Sequence, residues 1–226
     1  MPETRRYSMS LRDEQTAATR RRILDAAGAL FAERGYLGTT LGGVAEAAGV
    51  SVQTIYNLVG GKAVLLKSVY DVTLAGDDEP VPLMHRPLAV AALTATTGRE
   101  CLERYAEMAR VLGERVLPMI TNMLAQATTG DPDLRRFAET IEAERDASTS
   151  AMVGHVADRF GLRAGLDRPA AADVLWTLTS PDIADRLVNR RGWGWEGYQN
   201  WLATTMADAL LVPGSAETAA RKGNGW

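Results

Sequence analysis

Apolar residues return every three or four positions along most of this chain, the spacing of one helix face, and period-two alternation is almost absent. A polar stretch of mixed charge, residues 1–15, precedes the first stripe and reads as a flexible tail. From Thr16 onward Ile23, Leu24, Ala27, Leu30 and Phe31 share a face, and Gly35 supplies a C-terminal stop. Thr39-Thr40 offers an N-cap for a short helix at Leu41–Ala48, which Gly49 ends. Ser51 caps the next helix, Val52–Leu58, and Gly60-Gly61 separates it from a longer one that opens at Lys62. Gly42 and Gly43 each cost the short helix roughly 1 kcal/mol of propensity, so packing has to hold it.

Acids and prolines between Gly76 and Pro87 forbid a continuous helix and mark the best boundary in the chain. Beyond it the pattern predicts helices over 88–97, 99–117, 118–127, 132–160, 169–179, 181–190 and 195–211. Asp131 serves as a cap there, and Pro132 takes the first helical position. Residues 214–226 are polar and read as a second tail. The expected fold is all-α: a small three-helix domain over 16–66 and a larger helical domain over 67–213.

Composition adds exclusions. Hydrophobic residues make up 46% and charged residues 23%, enough for a core without disulfides or a structural metal. A lone cysteine, Cys101, builds neither a disulfide nor a zinc site, and the chain reads as cytoplasmic. The two histidines, His85 and His155, lack ligand spacing, so no metal is expected. No apolar run reaches the ~18 residues of a membrane span, and no signal peptide is apparent. An enzyme would have only those two histidines to activate Cys101 or a serine, and Gly60-Gly61-Lys62 lacks the rest of a P-loop. No catalytic residue and no cofactor are therefore expected. Net charge is −3, unevenly spread: residues 1–67 hold nine basic and six acidic residues, the remainder sixteen and twenty-two. That asymmetry fits a small DNA-contacting head on an acidic body, with chance fluctuation over so few charges as the alternative reading.

The segment Val44-Ala45-Glu46-Ala47-Ala48-Gly49-Val50-Ser51-Val52-Gln53-Thr54-Ile55-Tyr56 meets the demands of a helix-turn-helix in register. Ala45 is small where the helices cross, and Gly49 accepts a left-handed turn. Val44, Val50 and Ile55 hold the second helix, while Ser51, Gln53 and Thr54 leave its start polar. Ala-x-x-x-Gly alone also describes an ordinary helical hairpin. The flanking residues go further: Ile23-Leu24-Asp25-Ala26-Ala27, Phe31-Ala32-Glu33-Arg34-Gly35-Tyr36, Thr39-Thr40, Ala48-Gly49-Val50-Ser51, Thr54-Ile55-Tyr56 and Lys62-x-x-Leu65-Leu66. With them, residues 19–66 closely resemble the TetR (tetracycline repressor) family. Val59 replaces the usual aromatic and Ala63 the usual acid, both away from the DNA-facing side. Leu175-Trp176-x-Leu178-Thr179-Ser180-Pro181 and Arg191-Gly192-Trp193 resemble an actinobacterial subgroup.

The resemblance implies a transcriptional regulator, a repressor released from a palindromic operator by a small apolar or amphipathic effector. It implies that residues 16–66 bind double-stranded DNA and that 67–213 bind effector and dimerise. Val52–Leu58 becomes the recognition helix, with Gln53 reading adenine and Thr54 a base edge or thymine methyl. Tyr56, Asn57, Lys62 and Thr40 become phosphate contacts around the Ser51 cap. Packing between helices is the alternative role of Tyr56, and a solvated charge that of Lys62. Homodimerisation through 169–179 and 195–211 makes Leu175, Leu178, Trp201, Leu202, Met206 and Leu210 candidates for the interface, with the chain's own core as their alternative place. An effector pocket draws on Met108, Leu112, Met119, Met123 and Trp176, with Arg104 and His85 as polar handles, though a methionine stripe is more often plain core than pocket. Control by a protein partner without a small molecule is the alternative mode of regulation.

Overall fold

The structure, a computed structural model, describes residues 3–127 and 130–212. The expected tail at 214–226 and residues 1–2 lie outside the described residues. Among those described there is no strand. The helices are α1 (Glu3–Gly38), α2 (Leu41–Ala48), α3 (Val52–Leu58), α4 (Lys62–Ala75), α5 (Pro87–Leu93), α6 (Gly98–Ala127), α7 (Pro132–Arg159), α8 (Arg168–Leu178), α9 (Pro181–Ala184) and α10 (Trp195–Leu210). A short 3-10 turn, Leu83–His85, precedes α5, and a π turn, Asp185–Arg190, extends α9.

Three differences from the sequence reading have local causes. Residues 3–15 are helical rather than a tail, because no glycine or proline interrupts the chain between Glu3 and Gly28. α5 ends at Leu93, short of 97, because the threonines that follow begin α6 instead. Thr97 Oγ1 accepts from the Glu100 N–H at 3.1 Å, while the Glu100 carboxylate accepts from the Thr96 N–H at 3.0 Å and the Thr96 hydroxyl at 2.9 Å. This is a variant of the reciprocal N-terminal capping box. The helices expected at 99–117 and 118–127 are one, with Pro118 inside it. Val116, Leu117, Met119, Ile120 and Met123 are buried on both sides of that proline, and their burial carries the helix across the lost backbone bond.

The chain forms two compact units. One comprises the residues up to Asp78 together with Pro118–Ala138, and the other Glu79–Leu117 with the residues from Glu139 onward. In the first, α1 packs against α2, α3 and α4. Ile23, Leu24, Ala27 and Phe31 of α1 are buried, as are Val44, Ala45, Ile55, Leu65 and Leu66. Tyr70 meets Phe137 edge to face at 5.7 Å.

In the second unit α10 packs against α8. Tyr198 lies against the rings of Trp195 and Trp201 at 5.7 and 6.1 Å. Of the two places open to Leu175, Leu202, Met206 and Leu210, interface or core, the structure gives the core: all four are fully buried within one chain. The period-3.6 stripe marks the face that leaves water but does not say whether its own chain or a second copy covers it. Leu178 and Trp201 are half-buried, and Trp176 and Trp193 are exposed.

Candidate nucleic-acid interface

The turn between α2 and α3 is built from backbone bonds the sequence makes available. Thr40 is extended and its hydroxyl accepts from the Gly43 N–H at 3.1 Å, capping α2. Gly49 takes the left-handed conformation, φ 64° and ψ 40°. Its N–H donates to the Glu46 carbonyl, and the Val50 N–H to the Ala45 carbonyl at 2.9 Å, closing the helix with both bonds of a Schellman cap. Ser51 then caps α3, accepting from the Thr54 N–H at 3.0 Å. Ala45 is buried at the crossing and Ile55 is wholly buried beneath α3.

The opposite side of α3 faces water. Ser51, Val52, Gln53, Tyr56 and Asn57 are exposed, and Thr54 is half-buried. Tyr56 is 53% exposed, which decides against packing between helices. The Gln53 amide donates to Asn57 Oδ1 at 2.9 Å, and the Ser51 and Thr54 hydroxyls lie 2.8 Å apart. The polar groups thus form two mutually bonded pairs on one exposed surface, with the exposed Val52 side chain beside them.

Lys62 stands apart from that surface. It is half-buried, with Nζ 4.1 Å from the centre of the Tyr36 ring, a cation–π contact rather than a fully solvated charge. Burial holds its ammonium below the usual lysine range, against the pull of Asp131 and Asp133. Tyr36 donates its hydroxyl to Asp133 at 3.0 Å, and burial together with that bond raises its pKa. The Tyr36 N–H donates to Gln126 Oε1 at 3.1 Å. Gly35 permits this approach: its φ is 69°, and a Cβ there would stand 2.1 Å from Gln126 Nε2. Thr39, read from sequence as part of the cap, is buried and donates instead to the Gly35 carbonyl at 2.8 Å.

Sequence reasoning missed Gln126, Asp133 and also Arg20, whose guanidinium bonds Asp78 and the Leu58 carbonyl. Arg20 had one signal. It continues the buried stripe of Ile23, Leu24 and Ala27 back by one turn, and a charge on a buried face needs a partner.

The residues assigned to an effector pocket divide between the units. Met108, Leu112 and Trp176 belong to the second, Met119 and Met123 to the first. Met108, Met119 and Met123 are buried and Leu112 is half-buried. Trp176 is 36% exposed and lies against the Arg145 guanidinium at 5.2 Å. Arg104 and His85 are both exposed. Cys101 is buried, and burial pushes its thiol up to about 11, the opposite of an activated nucleophile. Among the described residues no cluster of three His, Cys, Asp or Glu could hold a metal ion, and no helix is long and apolar enough to cross a membrane.

Several solved structures share this fold. A TetR-family transcriptional regulator from Rhodococcus sp. is 17% identical, covering 85% of this chain and 99% of that one with a TM-score of 0.64. A TetR transcriptional regulator from Chloroflexus aurantiacus J-10-fl is 21% identical, covering 87% and 98%, with a TM-score of 0.61. SmeT, in a complex with triclosan, is 21% identical, covering 88% and 94%, with a TM-score of 0.66. No curated protein matches the chain. Residues 23–69, which hold the caps, the Gly49 turn and the exposed face of α3, match the family model of bacterial regulatory proteins, tetR family. Residues 23–69 thus carry a domain of the tetR family of bacterial regulatory proteins, and the chain as a whole shares the fold of TetR-family transcriptional regulators.

Proposed function

We propose that the chain is a repressor that binds a palindromic operator as a cytoplasmic homodimer and is released by a small apolar or amphipathic effector. The observation that carries the DNA side of this reading is the face of α3. Ile55 anchors the helix while Gln53, Tyr56 and Asn57 point outward on a helix capped at its start by Ser51. Gln53 and Asn57, already bonded to each other, form a paired amide whose free donor and acceptor suit the adenine edge. Val52 and Thr54 fit a thymine methyl, and Tyr56, Thr40 and the first turn of α4 at Lys62 fit phosphate. A single short helix makes few base contacts, so two half-sites read by a dimer supply the affinity. Trp176, exposed on α8, is available to such a dimer.

The effector side rests on the methionines of α6 and on the likeness in fold to SmeT, the relative solved with triclosan. An effector acts by its differential affinity for the DNA-bound and free forms. Sheared genomic DNA captured on the purified protein, sequenced, and titrated against salt tests the reading. A palindromic site with steep salt dependence is expected, and Gln53→Ala should flatten the base preference within it. Weak binding indifferent to sequence overturns the reading.

A further inference from the structure

The run Arg20-Arg21-Arg22 suggests a solvated basic face, yet its members part company. Arg21 and Arg22 are exposed, whereas Arg20 is half-buried with each of its three guanidinium nitrogens donating one hydrogen bond. Its Nε donates to Asp78 Oδ2 at 2.9 Å and its Nη2 to Asp78 Oδ1 at 3.4 Å. Its Nη1 donates to the Leu58 carbonyl at 3.2 Å. One side chain on α1 therefore joins the last residue of α3 to the connection that leaves α4. Leu58 is where such a tether has most effect. Its carbonyl lies beyond the last intrahelical bond, at the negative end of the helix, where a cation is favoured. A helix of seven residues has too few bonds of its own to hold its orientation.

We propose that Arg20 is the positioning residue of the recognition helix, and that Asp78 holds the guanidinium in the geometry the task requires. Arg20 fixes the angle at which Gln53, Tyr56 and Asn57 are presented, so it governs sequence discrimination without touching a base. Only arginine has the planar fork to bond a carboxylate with two nitrogens while a third reaches a carbonyl; lysine carries the charge but cannot span both partners. The inference rests on the DNA-binding reading for its consequence, but the tether itself can be tested without DNA.

The experiment compares the full-length chain with Arg20→Ala, Arg20→Lys and Asp78→Asn. Amide exchange is measured first on the DNA-free proteins. Exchange over 52–60 should quicken about tenfold or more in Arg20→Ala and Asp78→Asn, with α2 unchanged. Unchanged exchange over 52–60 overturns the proposal. Affinity is then measured for the duplex that the wild-type chain selects from genomic DNA and for a scrambled duplex of the same composition. The ratio of the two affinities should fall about tenfold in Arg20→Ala and Asp78→Asn, and in Arg20→Lys despite its retained charge. An Arg20 that contacts phosphate gives another pattern. Arg20→Ala then loses affinity equally on both duplexes with a shallower salt dependence, and Asp78→Asn, which frees the guanidinium, binds more tightly. A general loss of fold, with a lower melting temperature and an unchanged ratio, also overturns the proposal. If the wild-type chain selects no duplex, the DNA reading fails while the exchange measurement still decides whether the tether exists.

Discussion

Gly35 and Gly49 both have positive φ, but they occupy different surroundings. Gly49, at φ 64° and ψ 40°, has open space where a Cβ would sit, so Gly49→Ala meets only the left-handed backbone penalty, about 1–2 kcal/mol. Gly35, at φ 69° and ψ 179°, occupies a region that side chains hardly visit, and a Cβ would drive into the Gln126 amide. Displacing Gln126 also takes the acceptor from the Tyr36 N–H. Gly35→Ala should therefore cost about 3 kcal/mol or more. Urea denaturation of the two variants checks this, and equal costs would show that Gln126 is not tightly held against the glycine. Sequence identified both glycines as helix stops, since a stop depends on local backbone alone; at Gly35 the backbone leaves the helical conformation, although a further helical turn carries α1 on to Gly38. It was silent on Gln126, whose bond to Tyr36 spans 90 residues.

At the scale of elements, most helices follow from caps and periodicity, and α6 shows where that reading stops. Pro118 removes the N–H that would bond the Glu114 carbonyl, which is why the sequence suggests a break. The buried residues on either side outweigh the loss, and the helix continues. Pro118→Ala restores the bond while loosening the unfolded chain, and should stabilise the protein by about 1–2 kcal/mol net. A rise in the thermal midpoint is the expected result. A fall would mean that the local shape of α6 depends on the proline. The Thr97 and Glu100 cap was legible in principle, because Thr-x-x-Glu is a local signal, and it accounts for the end of α5 as well as the start of α6.

At the scale of the molecule, several buried acids resist ionisation together. Burial pushes Tyr105 and Tyr198 up to about 12 and Cys101 up to about 11, and Tyr36 is raised by burial and by Asp133. In the unfolded chain these groups ionise near their ordinary values of 10.0 for tyrosine and 9.0 for cysteine. A raised folded-state pKa means stability that is fully present below the unfolded value and is lost as pH climbs towards the folded one. Lys62 has the opposite sign, since its ammonium is disfavoured in the folded chain and that penalty lifts on deprotonation. Four groups against one set the balance, so the urea midpoint should fall progressively as pH rises from about 9 to 11. A midpoint unchanged to the top of that range would show that these side chains reach water before the chain unfolds.

By itself the sequence determined the all-α class, the positions of most helices, the Gly49 turn and the outward face of α3. Each of these depends on residues within a turn or two of one another, where caps, glycines and apolar spacing act directly. Only the tertiary structure decided which partners those elements take. It turned Leu175, Leu202, Met206 and Leu210 into their own chain's core, laid Lys62 on the Tyr36 ring, and gave Arg20 its two partners on other elements. The bond from Arg20 to Asp78 spans 58 residues, and no local pattern encodes it. Such pairs follow from which faces meet when the helices pack, and the energy of that packing belongs to the assembled core rather than to any one stretch of chain.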